Sequence, residues 1–148
     1  MTYARQNAMI TAVIWAVVFA GVLLTVLLPG PGRFVSPEYS IWRLISAIII
    51  LPGFLVNAWL GGRSKRGKER GEMDERDAAV SRRAAQVTLF ATTIAVFLAA
   101  LFLYEGYYVA GAVPAGWLWL MAYGTVAFMS FVHAAAALVI DVTGATDA

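Results

Sequence analysis

Residues 8–28 read AMITAVIWAVVFAGVLLTVLL, 21 positions without a single charge. A helix rises about 1.5 Å per residue and the hydrocarbon core of a bilayer is about 30 Å thick, so this run is long enough to cross it. Three more runs meet the same test: 41–60 (IWRLISAIIILPGFLVNAWL), 84–104 (AAQVTLFATTIAVFLAALFLY) and 117–140 (WLWLMAYGTVAFMSFVHAAAALVI). Hydrocarbon offers the backbone no hydrogen bonds, so each run is expected to be a helix. The sequence therefore predicts an all-α fold, an integral membrane four-helix bundle forming one domain over 1–148.

Composition points the same way. The chain has 148 residues, 61% of them hydrophobic and 14% charged, with mean hydropathy +0.74. Soluble domains carry about 45–50% apolar and about 25% charged residues. The absence of cysteine excludes a disulfide scaffold, a thiol redox centre and a thiolate metal site. A net charge of only +2 does not suit a chain that coats nucleic acid, and no nucleic-acid partner is expected. The first run is longer than the 7–15 residues of a secretory h-region, and no small-residue cleavage site follows it. Pro29-Gly30-Pro31-Gly32 instead reads as a turn after a retained span.

The charges are unevenly placed. Of 11 Lys and Arg residues, eight lie in the 61–83 loop, GGRSKRGKERGEMDERDAAVSRR, and Arg5 flanks the first span on the same side. Arg33 lies on the other side, with Arg43 just inside the second span. The excess of basic residues in cytoplasmic loops puts 61–83 and both termini on the cytoplasmic side of a chain that spans the cytoplasmic membrane. Tyr39, Trp42, Tyr104, Tyr107, Tyr108, Trp117 and Trp119 crowd the opposite ends, as interfacial anchors do.

Helices in lipid meet through close packing of small residues. Ala8, Ala12, Ala16 and Ala20 recur every fourth position in the first span, and Ala91, Ala95 and Ala99 do so in the third. Gly53, Asn57 and Gly61 repeat the spacing in the second. All three stripes are expected to be interfaces, within the bundle or between copies in a homo-oligomer or larger membrane complex. Pro52 deprives the Ile48 carbonyl of its helical donor, so a kink is expected there, as a hinge or as a fixed packing feature.

The first half of the 61–83 loop is glycine-rich and basic and is expected to be flexible. The second half has the chemistry of a helix start: Asp74, Glu75 and Asp77 are acids placed where unpaired amides favour negative charge. A short cytoplasmic helix is expected from about Asp74, continuous with the third span. Arg82 and Arg83 precede the apolar run, where long side chains reach the lipid phosphates. Asp74, Glu75, Arg76, Asp77, Arg82 and Arg83 are thus candidate docking residues for a cytoplasmic protein partner, or else a topology signal joined to a helix cap. With five acids against its eight basic residues, the loop also carries a modest positive charge toward anionic lipid. Three acids interrupted by Arg76 do not resemble the oxygen cage of a hard cation, and no metal site is assigned.

The motifs Asp74-Glu75-Arg76-Asp77, Arg82-Arg83-Ala84-Ala85 and Thr88-Leu89-Phe90 together resemble a family of small multi-span membrane proteins of unknown function, found in archaea and bacteria, with a cytoplasmic DER-type motif before the third span. The resemblance covers about 41–104. It implies a four-helix membrane protein and no particular activity.

Ionisable residues inside a span are functional candidates by default. His133 is the clear case, about 10 Å inside the cytoplasmic end of the fourth span. Asn57, Gln86, Thr88 and Thr11 fall at comparable or shallower depth on the other spans, and Ser130 is one turn deeper than His133. The expectation is a polar cluster in the cytoplasmic half, serving as a binding pocket or as an interhelical hydrogen-bond network. No cofactor is expected: with one histidine in the chain, a bis-His haem needs a second copy, and Met121 and Met129 are second ligands by composition alone. No catalytic set is found, since the acids lie in loops and at span ends, and no phosphate loop is present. A buried acid of the kind proton-coupled transporters use is absent from all four spans. The residues thus favour a membrane interaction or accessory protein that presents its charged loop to a partner, and not an enzyme. The alternative is a small oligomeric channel or transporter built on the polar site.

Overall fold

A computed structural model describes residues 3–69 and 75–144. Over these residues the chain is helical apart from short connections. The helices are α1 (Tyr3–Leu27), α2 (Ser40–Ile49), α3 (Leu51–Glu69), α4 (Glu75–Tyr107) and α5 (Ala115–Thr143), with a 3₁₀ turn at Pro37–Tyr39 before α2. Four helical segments are long and apolar enough to cross a membrane: Arg5–Leu27, Pro37–Leu60, Glu75–Tyr107 and Ala115–Thr143. They alternate in direction. The start of α1, the end of α3, the start of α4 and the end of α5 share one end of the molecule, the charged end; the aromatic residues gather at the other.

α5 is the central helix. It packs along α1 and along α4, while α2 and α3 pack on the far side of α1. α4 has its one extensive interface with α5. The reason lies in α5's own sequence: Gly116, Gly124, Ala127 and Ala134 are buried along it and let neighbouring backbones come close. At Gly116 a side chain would strike the backbone carbonyl of Pro31, so only glycine lets the turn after α1 rest on the start of α5. Large apolar side chains face outward all round, among them Val17 on α1, Leu55 on α3, Leu89, Phe90 and Phe97 on α4, and Leu118 on α5. Monomeric soluble proteins rarely expose contiguous apolar patches beyond a few hundred Å². This outer surface suits hydrocarbon.

The alanine stripe of α1 is only partly covered within the chain. Ala12 is buried but Ala20 is exposed. The buried face of α1 is instead Trp15, Val18, Val22 and Val26, three or four positions apart. The small residues are on the partner helix, and the large ones of α1 fill the space those leave. The core cluster joins Trp15, Val18 and Val22 of α1 to Ile50 and to Ala127 of α5.

The second span breaks at Ile50, between α2 and α3, because Pro52 supplies no amide hydrogen; the ladder resumes with Phe54 N–H donating to the Ile50 carbonyl at 3.3 Å. The fully buried Trp15 ring lies against this break. A Cβ on Gly53 would fall 2.7–2.8 Å from three carbons of the indole, closer than real atoms approach. Phe54 meets the same ring edge-on, with centroids 5.6 Å apart. The Pro52-Gly53 pair therefore has a packing role: it turns a side-chain-free surface toward the largest side chain of the core.

α4 begins at Glu75, with Glu75 and Asp77 in its first turn, and runs without interruption to Tyr107, as the acids before the third span led one to expect. The first half of the loop departs from expectation. α3 does not stop near Leu60 but continues as helix to Glu69, so 61–69 is helical, not a flexible segment. Glycine costs a helix about 1 kcal/mol against alanine, which two or three such positions do not make prohibitive beside Arg, Lys and Glu, all good helix formers.

Gly53→Ala is expected to destabilise the fold by about 1–3 kcal/mol through overpacking against Trp15, measured by reversible unfolding in mixed micelles. In a Trp15→Leu background the same change should cost far less, because no rigid ring remains there. Equal costs in both backgrounds would show that the ring does not set the requirement for glycine.

Candidate functional site

The charged end is where most candidate residues lie, and α4 distributes them by helix geometry. Positions 76, 80, 83 and 84 fall on one stripe, since three or four residues make a turn. Val80 and Ala84 of this stripe are buried against Ile140 of α5, with Ala136 and Ala137 packed beside them. Arg76 reaches across to the end of α5, its guanidinium donating to the Asp141 carbonyl at 3.1 Å and standing 3.6 Å from the Asp141 carboxylate. A cation on the last carbonyls of a helix also complements the helix dipole. Arg76 thus clasps two helices of its own chain. Of the five described candidate docking residues, Glu75, Arg76 and Arg82 are exposed, and Asp77 and Arg83 are partly covered. Asp74 lies outside the described residues.

The intramembrane polar residues divide as well. Thr88 is buried, its hydroxyl donating to the Ala84 carbonyl at 2.6 Å, and His133 Nδ1 stands 3.5 Å from that hydroxyl oxygen. A hydroxyl has one hydrogen, and here it goes to the backbone. Toward His133 the oxygen is left to accept, so this contact is a hydrogen bond in the tautomer with the proton on Nδ1. At 3.5 Å this is a long, weak contact. Asn57 lies elsewhere, on α3, where its side-chain carbonyl accepts the Trp15 indole N–H at 3.2 Å. Gln86 is exposed on another face of α4, and Thr11 and Ser130 are half-buried. Instead of one cluster drawn from four spans, the structure holds two pairs: Thr88 with His133 between α4 and α5, and Trp15 with Asn57 between α1 and α3.

The richest polar network is at the aromatic end, and sequence reasoning missed it. The Arg43 guanidinium donates to the Phe34 and Ser36 carbonyls at 2.6 and 2.8 Å, tying the turn after α1 to α2. Ser46, fully buried, donates to the Arg43 carbonyl at 2.9 Å and accepts the Trp119 indole N–H at 2.9 Å. Phe34 packs on Trp119 with centroids 5.9 Å apart, and Trp119 stacks on Tyr123 at 4.7 Å. Trp119 is half-buried and tied into this network at the aromatic end. The legible signal was an arginine and a serine three residues apart inside an apolar run: such groups need internal partners. Nearby, the Trp117 indole N–H donates to the Tyr107 hydroxyl at 2.8 Å, closing α4 onto the start of α5.

Between α1, α4 and α5, toward the aromatic end, is a cavity of about 450 Å³. Ala95 and Ala99, two of the three alanines expected to make a close helix contact, line this space instead. α4 and α1 both lean on α5 without packing extensively on each other, and the small side chains leave the wedge between them unfilled. Comparison with family models, curated proteins and solved structures finds no match.

Arg76→Gln and Asp141→Asn are each expected to cost about 0.2–1 kcal/mol, the range of exposed ion pairs. The double variant should cost little more than either single one, and added salt should shrink the difference. Strict additivity in an unfolding titration would dissolve the clasp. For Thr88→Val with His133→Ala, a double-mutant cycle is expected to give a coupling of about 0.6 kcal/mol, the average for interhelical hydrogen bonds in membranes. A coupling near zero would leave the two groups neighbours and no more.

Proposed function

We propose that this chain is an integral membrane accessory protein whose charged end lies in the cytoplasm and offers a basic helical extension to a cytoplasmic partner. The observation that carries the reading is the continuation of α3 through 61–69. Nine residues at about 1.5 Å each project the helix about 13 Å beyond its apolar part. The extension bears Arg63, Lys65, Arg66 and Lys68 in sequence. A helix limits the conformations that such a group of charges must give up on binding, so it suits docking better than a flexible loop would. The basic balance suits an acidic partner surface. Arg76, engaged with Asp141, belongs to the scaffold that holds α4 and α5 in place beneath the docking region.

The orientation rests on the excess of Lys and Arg at this end. The channel or transporter reading has less support, because the polar residues on which it relies pair off across separate helix interfaces. Thr88 with His133, and Trp15 with Asn57, read as interhelical fastening.

The lack of native cysteine makes the test direct. Ser64→Cys is expected to react with a membrane-impermeant maleimide only when the cytoplasmic face is opened, and Ala112→Cys in intact cells. A photo-reactive amino acid at position 64 is expected to give one discrete adduct with an acidic cytoplasmic protein, lost when Arg63, Lys65, Arg66 and Lys68 become Gln. The reading fails if position 64 is labelled from outside, or if its adducts are lipid alone and indifferent to the four substitutions.

A further inference from the structure

The cavity between α1, α4 and α5 has no part in docking at the opposite end of the molecule. Phe19 and Leu23 contribute from α1, Ala95 and Ala99 from α4, and Gly124 and Phe128 from α5. It runs along α4 from Ala95 to Tyr107, twelve residues, so its length is about 18 Å. A volume of about 450 Å³ spread over that length gives a cross-section of about 25 Å². A helix with its side chains is about 10 Å across and does not fit such a slot. A single hydrocarbon chain does. The length also matches one leaflet better than the whole hydrocarbon thickness of about 30 Å.

The lining is apolar along its length except for Thr125, and its other polar groups, Tyr107 and Trp117, stand at one end. There the Tyr107 hydroxyl accepts the Trp117 indole N–H at 2.8 Å, which leaves its own hydrogen for an acceptor such as an ester carbonyl. The charges at this end are balanced. Arg33, Glu38 and Glu105 are exposed, and Arg43 is turned onto the Phe34 and Ser36 carbonyls. The turn that carries Arg33 rests on α5 beside Trp117, through Pro31 against Gly116. No cluster of cations waits for a free anion, and both signs are present for a zwitterionic headgroup. Water gains little in a space this poor in polar partners, and an empty space forfeits the contacts of its walls.

We infer that this cavity binds one acyl chain of a zwitterionic glycerophospholipid from the leaflet at the aromatic end, with the ester region at Tyr107 and Trp117. The bound chain acts as a wedge that completes the packing of α4, whose one extensive interface is with α5. The proposal rests on the membrane reading above but not on the orientation or on the partner.

The full chain in nanodiscs, doped with phosphatidylethanolamine bearing a diazirine near the middle of one acyl chain, tests it. After irradiation, peptide mapping is expected to place adducts several-fold more densely at Ala95, Ala99 and Gly124 than at the outward Leu89, Phe90 and Phe97. Ala99→Trp, which fills the slot, is expected to abolish the first set and keep the second. If Ala99→Trp does not fold, as judged by circular dichroism, Ala95→Leu takes its place. Native mass spectrometry is expected to show one phospholipid surviving delipidation in the wild type and none in the filled variant. Even adducts on inward and outward residues, adducts unmoved by filling, or a retained isoprenoid or quinone in place of a phospholipid would each overturn the proposal while leaving the membrane reading intact. A chain that stays out of the disc would overturn both.

Discussion

The structure depends on how closely α5 lets its neighbours approach. Where water does not drive helices together, contact area comes from van der Waals packing, and that needs one smooth surface for every rough one. α5 supplies the smooth surface with Gly116, Gly124, Ala127 and Ala134. α1 supplies the rough one with Trp15, Val18 and Val22. Gly53 repeats the arrangement one layer out, beneath the Trp15 ring. The same logic explains why the alanines of α4 are not fully covered: Ala95 and Ala99 face a space where α1 has leaned toward α5, and smooth surface meets no rough partner there.

Polar groups follow the same economy of position. The described polar side chains of the apolar layer either return to a carbonyl of their own helix, as Thr25, Thr88 and Thr93 do, or cross to another helix. Trp15 with Asn57, Trp119 with Ser46 and Trp117 with Tyr107 are all indole N–H donors meeting side-chain oxygen acceptors. Buried indoles require such partners, so each tryptophan sets the rotation of a helix as well as filling space. Arg43 does the same with two backbone carbonyls, converting a charge in an apolar run into the fastening of a turn. At the other end Arg76 joins α4 to α5. The two ends are therefore tied differently: one by an aromatic and serine network, the other by a partly exposed ion pair.

Much of the fold was legible. Four uninterrupted apolar runs, the turn at Pro29-Gly30, the break at Pro52 and the acids that start α4 all correspond to elements or boundaries in the structure. Each depends on local chemistry alone: the length of a run, a missing amide hydrogen, an acid beside unpaired amides. The length of α3 was misread because glycine was weighed as a breaker, although its propensity cost is small against a favourable neighbourhood. The candidate site was less legible. Similar depth suggested that Asn57, Gln86, Thr88 and His133 would meet, but depth is one coordinate of three. Asn57 is turned to Trp15, Gln86 outward, and Thr88 alone of these comes near His133.

The sequence by itself determined what each segment is. Hydropathy and length make the helices, and charge distribution separates one end of the molecule from the other, because both are sums over neighbours in the chain. Only the tertiary structure decided which faces meet. Alanine every fourth residue marks a stripe but not whether a helix covers it, and in α1 and α4 the answer differs from position to position. That choice depends on volumes contributed by different helices at once, Trp15 against Gly53 or Ala99 across from Gly124, and no single segment contains it.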